Sequence, residues 1–252
     1  MTERNLIEVA NPEVRVIGYT LYRNVTLKDL GMDLALGNDG EDIMSALFGM
    51  EFSGRACYQS FNKPNPLTKK NADYIRHLID SGHESVLEHA TVNFYITGIS
   101  RALSHELVRH RMFNFSQQSQ RFVNEEEARV VLPPAIAPDS EGAGAIRRVA
   151  EKALEEYREV VAHLQPKMEA EGVHPIAARK QAREAARAVL PNCIETRIAV
   201  TGNHRALRNF LWRRLDPSAD AEIRRVARMM FDLLHGMYPP IYEDIKEHFE
   251  LQ

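Results

Sequence analysis

The chain of 252 residues has only two cysteines, Cys57 and Cys193. Two thiols cannot build a disulfide framework or a four-cysteine zinc site, and such scarcity suits a reducing compartment. No stretch approaches the ~20 consecutive apolar residues needed to cross a bilayer. Residues 1–21 lack a basic region followed by an apolar one, so no secretory signal is expected and the expected location is the cytoplasm. Phosphate-loop and nucleophile-elbow glycine patterns are missing too. Gly142-Ala143-Gly144 lacks the third glycine of a dinucleotide fingerprint and follows the acidic stretch Asp139-Ser140-Glu141. His83 and His89 have no accompanying metal-ligand spacing, so no metal is expected. There is no internal repeat and no low-complexity tract. With 44% hydrophobic and 27% charged residues, the composition excludes a mainly disordered chain.

The net charge is −3, unevenly spread. Arg101–Arg121 carries +3 and Pro175–Arg214 carries +7, leaving −13 for the remainder. Two basic segments in an acidic protein point to a local anion site and not to a general nucleic-acid surface.

Strands are expected over 14–21, 91–99 and 195–201, the second because Val92, Phe94 and Ile96 alternate with polar neighbours. Helices are expected over about 42–52, 69–80, 100–111, 143–170, 175–189, 203–214, 220–237 and 240–249. Residues 24–42 and 60–68 read as loops. Strands mixed with long helices indicate an α/β or α+β fold. No linker separates self-contained halves, so the expectation is a single domain over 1–252.

Four features carry chemistry. On helix 100–111, Arg101, His105 and Arg109 share a stripe, while Leu103 and Leu107 face elsewhere. Next, Ser116-Gln117-Gln118-Ser119-Gln120-Arg121 is polar throughout, so neither face can enter an apolar core without partners. It reads as a solvated loop or as a strand lining a polar cavity, where amides and hydroxyls meet a ligand and Arg121 an anion. On helix 175–189, Arg179, Arg183 and Arg187 follow at four-residue spacing beside Lys180. Glu184, placed to pair with Lys180 or Arg187, cannot neutralise them all. The stripe is either a solvated face or a phosphate site. On helix 203–214, Arg214 falls within the stripe of Leu207, Phe210 and Leu211. It either snorkels at the helix end or meets a carbonyl or developing oxyanion. Cys57 reads as a buried thiol before it reads as a nucleophile.

Arg109-His110-Arg111, followed after seven residues by Ser119-x-Arg121, resembles the signature of the flavin-dependent thymidylate synthases. GRACYQS (54–60), GHESVLEHA (82–90), FYITGISR (94–101), RKQAREAARAVLP (179–191) and ETRIAVTGNHRALRNF (195–210) are similar to the same family. The likeness extends over about 50–215. It implies α/β subunits with a mixed, largely antiparallel sheet, assembled as a homotetramer. It also implies reductive methylation of dUMP to dTMP, with 5,10-methylenetetrahydrofolate giving the carbon and NADPH reducing FAD. Tetrahydrofolate is released, the hydride comes from the reduced flavin, and no cysteine nucleophile is used. Asn114 and Gln118 depart from the serine and leucine common in the signature.

The resemblance assigns FAD contacts to Ser85, Arg109, His110, Arg111, Gln117, Asn203, His204, Arg205 and Asn209. It assigns dUMP contacts to Glu106, Leu107, Val108, Arg109, Gln117, Gln118, Ser119, Gln120, Arg121, Arg187 and Arg214. Arg214 is the implied catalytic residue, polarising the pyrimidine, and His83 the implied neighbour of flavin and folate. A nucleotide- or RNA-binding protein without catalysis would also use the basic stripes. However, the net charge makes a poor polyanion surface, and the polar strand has no aromatic stacking platform. Flavin-linked oxidase activity would be compatible with the same site. The expected partners are therefore small molecules and further copies of the chain, with no nucleic acid and no membrane.

Overall fold

The computed structural model describes residues 7–32, 42–61 and 65–251. Four strands, β1 (Glu13–Tyr19), β2 (Thr91–Ser100), β3 (Asn114–Gln117) and β4 (Glu195–Asn203), form one antiparallel sheet in the order β1-β2-β4-β3. The helices are α1 (Asn24–Asp29), α2 (Asp42–Tyr58), α3 (Asn71–Asp80), α4 (Arg101–Leu107), α5 (Glu141–Ala170), α6 (Pro175–Ala186), α7 (His204–Arg214), α8 (Ala221–Met237) and α9 (Pro239–His248). The mixed α/β class read from the sequence is thus the observed one. Among the described residues, no helix is long and apolar enough to cross a membrane.

The backbone divides into two compact units, each made of three chain segments. Unit 1 takes the chain up to Glu13, Ile96–Arg109 and Phe115–Ala199. Unit 2 takes Val14–Tyr95, His110–Asn114 and the chain from Val200 onward.

In unit 1, α5 and α6 pack on each other. Ala178, Ala182 and Ala186 recur at helical spacing and are fully buried, which allows close approach of the backbones. α5 starts where the Ser140 hydroxyl caps Ala143 N–H at 3.2 Å. Val130, Ala150, Leu154 and Ile194 form a buried cluster, with Cys193 packed against it. Gly98 has φ +66°, and a Cβ there would collide with the carbonyl of Asn11, so only glycine fits.

In unit 2, α7 begins at an Asn203 cap, whose Oδ1 accepts from Ala206 N–H at 2.8 Å. The apolar face of α7 (Leu207, Phe210, Leu211) is fully buried. Each such side chain stabilises the fold by about 1.5–3 kcal/mol. α8 adds Ile223, Val226, Met230, Phe231 and Leu234 to the buried set. Gly202 lies against Phe113, whose ring a Cβ would meet at 2.6 Å.

Several boundaries differ from expectation. α1 occupies part of the segment read as a loop over 24–42; residues 33–41, and 62–64 of the second expected loop, lie outside the described residues. α2 continues to Tyr58, and a 3-10 turn covers Glu84–His89. α4 stops at Leu107, so Arg109-His110-Arg111 follows the helix and does not end it. β3 lies at Asn114–Gln117, two residues earlier than read, because the chain folds back after it. Ser119 O accepts the N–H of both Phe122 and Val123. Cys57 is exposed, its thiol donating to Ser53 O at 3.4 Å.

Candidate functional site

In unit 1, α4 sorts its side chains by face. Leu103 and Leu107 enter the core, while Arg101 and His105 line a cleft of about 410 Å³. Gln120, Glu184, Arg187 and Asn192 line it as well. Arg109, beyond the helix end, is not among the lining residues. Arg187 is delivered by the 3-10 turn Arg187–Val189 that follows α6. Burial lowers the pKa of Arg101; Glu125 opposes this, and the charge of Arg187 adds to it. The cleft's own carboxylate does not quench these charges. Glu184 pairs with Arg121 at 2.6 Å and not with Lys180 or Arg187, as its spacing suggested. Among the described residues Arg187 makes no ion pair. Lys180 lies over the Phe122 ring at 4.7 Å, and Arg183 donates to Phe122 O at 2.8 Å. A half-enclosed cleft with two guanidinium groups and one committed carboxylate is built for an anion.

A half-buried polar network joins Arg101 to the polar run that begins within β3. Gln117 Nε2 donates to Ser104 Oγ at 2.9 Å and to Thr196 Oγ1 at 3.2 Å. Arg101 donates to Thr196 Oγ1 and to Gln118 O, each at 3.4 Å. The Gln118 side chain donates to the buried Glu125 at 3.2 Å. Burial raises the pKa of Glu125, with Gln118 and Arg101 opposing. Ser119 Oγ accepts from Arg121 N–H at 3.4 Å. The polar run is thus half-buried and internally bonded, and not a solvated loop.

In unit 2, Arg214 Nε donates to His110 Nε2 at 3.0 Å. The His110 ring packs edge-on against Phe210 at 4.9 Å and lies parallel to Phe113 at 6.0 Å. Burial, then the charges of Arg214 and Arg213, lower its pKa to about 4. His110 is therefore neutral near pH 7. Arg214 neither snorkels freely nor sinks into the core; it is half-buried and held by an imidazole.

The other flavin-assigned side chains of unit 2 fall into two groups. Ser85, Arg111, Arg205 and Asn209 are exposed, as is His83. Ser85 sits on the 3-10 turn whose Glu88 and Glu84 pair with Arg205. Asn203 is spent as the α7 cap, and His204 is fully buried, bonded through Nδ1 to Tyr242 Oη at 2.8 Å. Burial pulls the pKa of His204 down to about 3. Position 204 is buried whole, and its main-chain N–H donates to Ala90 O at 3.1 Å; Leu107 in unit 1 is likewise fully buried. Glu106 is half-buried and Val108 exposed.

Sequence reading missed Ser104, Thr196 and Glu125 in unit 1. It also missed Arg208 in unit 2, which is buried and doubly bonded to Asp244 at 2.6 and 2.7 Å. A serine and an arginine on the apolar faces of α4 and α7 were the available signals. Among the described residues, no three His, Cys, Asp or Glu side chains gather as a metal site would require.

The family model for thymidylate synthase complementing protein matches residues 44–240. The flavin-dependent thymidylate synthase of Mycobacterium tuberculosis (strain H37Rv) is 52% identical over 197 residues, which cover 78% of each chain. The enzyme of that name from Mycobacterium avium (strain 104) is equally similar, with the same coverage. The fold is similar to the crystal structure of thymidylate synthase X from Helicobacter pylori with FAD and dUMP. That likeness has a TM-score of 0.63 at 24% identity, covering 93% of this chain and 98% of the other. With a family model spanning most of the chain and relatives at this identity, the chain belongs to the flavin-dependent thymidylate synthase family.

Proposed function

We propose that this protein methylates dUMP to dTMP, taking the carbon from 5,10-methylenetetrahydrofolate and using NADPH to reduce a bound FAD. The observation that carries this reading is the family match over residues 44–240, which contains every residue assigned a role, from His83 to Arg214. The match crosses both units, so we read the chain as one catalytic domain that works as a cytoplasmic homotetramer, free of nucleic acid and membrane.

The unit 1 cleft supplies the nucleotide's phosphate site. Arg187 is its main ligand. Arg121, outside the cleft lining and paired with Glu184 at 2.6 Å, becomes its second on exchanging that carboxylate for the phosphate. Of the lining residues unassigned by the resemblance, Arg101 adds positive potential and His105 a ring nitrogen for hydrogen bonding. The segment Gln117–Gln120 recognises the base and sugar through amides and a hydroxyl, and Glu106–Arg109 adds contacts along the substrate. Arg214, gripped at Nε by a neutral His110, polarises a pyrimidine carbonyl as charge builds on the ring.

The donor set in unit 2 fits FAD. Arg205, Arg111 and Asn209 present cationic and amide donors suited to a pyrophosphate, with Ser85, Asn203 and His110 in the same unit; the resemblance assigns His204, Arg109 and Gln117 to FAD as well. His83 is placed for flavin and folate. FAD, when bound, supplies the hydride, and the protein orients the substrates against it. This reading uses no thiol step, and burial raises the pKa of Cys193, which disfavours its thiolate.

The direct test is to incubate purified protein with dUMP, methylenetetrahydrofolate, FAD and NADPH and to quantify dTMP. Product that vanishes when FAD or NADPH is omitted is the expected result. A folded, flavin-loaded protein that makes no dTMP would overturn the assigned substrate.

A further inference from the structure

Gln117 ends β3 with its side-chain amide turned onto two buried hydroxyls, Ser104 Oγ at 2.9 Å and Thr196 Oγ1 at 3.2 Å. Donor and acceptor counting settles which way that amide points. The hydroxyl hydrogen of Ser104 is already committed, because its Oγ donates to Arg101 O at 2.8 Å. Toward Gln117 that oxygen can only accept, so it must face the amide's nitrogen. Thr196 Oγ1 receives the Arg101 guanidinium at 3.4 Å and takes the second amide hydrogen as well. Both N–H bonds of Gln117 are spent. Its Oε1 has no hydrogen-bond partner among the described residues.

We propose that Ser104 and Thr196 are positioning residues that lock Gln117 as a pure hydrogen-bond acceptor for the imide N–H of a bound pyrimidine-type ring. This role rests on the function proposed above, since uracil and the flavin ring each carry one such N–H between two carbonyls. A cytosine ring carries an unprotonated acceptor nitrogen at the same position. It would set two lone pairs against each other, and a buried site rejects such a mismatch strongly. Freed from its two hydroxyls, the amide can turn over and offer N–H instead, so the locking pair would enforce uracil over cytosine. Neither hydroxyl touches the ligand; each acts through Gln117.

The test compares FAD-loaded wild type with Ser104→Ala, Thr196→Val and Thr196→Ser. Equilibrium binding of dUMP and of dCMP is measured with flavin retention, and thermal melting verifies the fold. Thr196→Val keeps the buried shape without the hydroxyl, and Thr196→Ser keeps the hydroxyl. We expect the dUMP-to-dCMP affinity ratio to fall about tenfold in Ser104→Ala and Thr196→Val, the size of one displaced hydrogen bond, and to be restored in Thr196→Ser. An unchanged ratio with about tenfold weaker flavin retention, again restored by Thr196→Ser, supports the lock and makes the flavin imide its partner. Folded variants that move neither quantity overturn the lock. Wild type that binds neither FAD nor dUMP overturns the function on which it rests.

Discussion

Arg214 Nε donates to His110 Nε2 across 3.0 Å, joining residues 104 positions apart in sequence. An arginine cannot accept a hydrogen bond, so Nε2 must be the unprotonated nitrogen and Nδ1 carries the proton. The bond therefore exists only while the imidazole is neutral. The ordinary pKa is 6.5 and the folded value about 4, so the unfolded chain binds the proton more readily between them. His110 thus adds stability that is fully present above pH 6.5, falls as the pH drops, and is exhausted near pH 4. His204, with its pKa near 3, acts in the same direction and extends the loss to lower pH. Urea midpoints measured from pH 7.5 to 4.5 should fall, and His110→Asn should flatten the slope. A midpoint that rises as the solution is acidified would sink the assignment.

Arg214→Ala should leave fold and flavin content intact, because the residue is half-buried at the last turn of α7 and contributes little core area. It should lose dTMP formation. Removing an oxyanion-type donor raises the barrier by about 2–4 kcal/mol, or roughly 30- to 1000-fold in single-turnover rate. Wild-type turnover in this variant would show that the guanidinium is structural only.

How much of this arrangement was legible beforehand depends on whether a residue's partner is near it in sequence. β2 and α7 were readable because period-2 and period-3.6 patterns are local: Val92, Phe94 and Ile96 on one side, Leu207, Phe210 and Leu211 on the other. β3 was misplaced because a run that is polar at every position has no period to read. The anomaly at Arg214 was visible, but its partner was not; nothing near position 214 indicates His110. Ser104 and Arg208 stood out only as polar residues on apolar helix faces, and Thr196 not at all; none showed its partner, because the bonds span 13, 79 and 36 residues for Ser104, Thr196 and Arg208. Glu184 was visible, but its helical neighbours Lys180 and Arg187 were the wrong guess, since Arg121 arrives from a distant segment.

Arg187→Ala should raise the KM for dUMP with little change in kcat, because a phosphate contact is made equally in ground and transition states. Stability should not fall. Arg187 has no ion pair among the described residues, and its charge opposes that of Arg101, so its removal relieves repulsion. A thermal midpoint that is unchanged or slightly higher, together with a raised KM, separates a ligand-binding arginine from a structural one. An unchanged KM would remove Arg187 from the phosphate site.

Arg208 should behave in the opposite way. Its side chain is 3% exposed and meets Asp244 with both terminal nitrogens, while the Ile241 carbonyl accepts from the same guanidinium. Arg208→Ala would leave a carboxylate and a carbonyl facing a cavity. Losing one partner of a buried pair costs about 3–5 kcal/mol, and Asp244, at 26% exposed, places the expected loss near the lower figure. Arg208→Lys should recover little of it, because one ammonium cannot span both carboxylate oxygens and the carbonyl. Arg208→Met with Asp244→Leu should recover more than lysine does, since Asp244 is then not stranded and Glu84, which also meets Arg208 at 3.4 Å, keeps Arg205 at 3.9 Å. Urea unfolding of the three variants decides the matter. If lysine restored the wild-type midpoint, the two-pronged geometry would be irrelevant, and Arg208 would act through its charge alone.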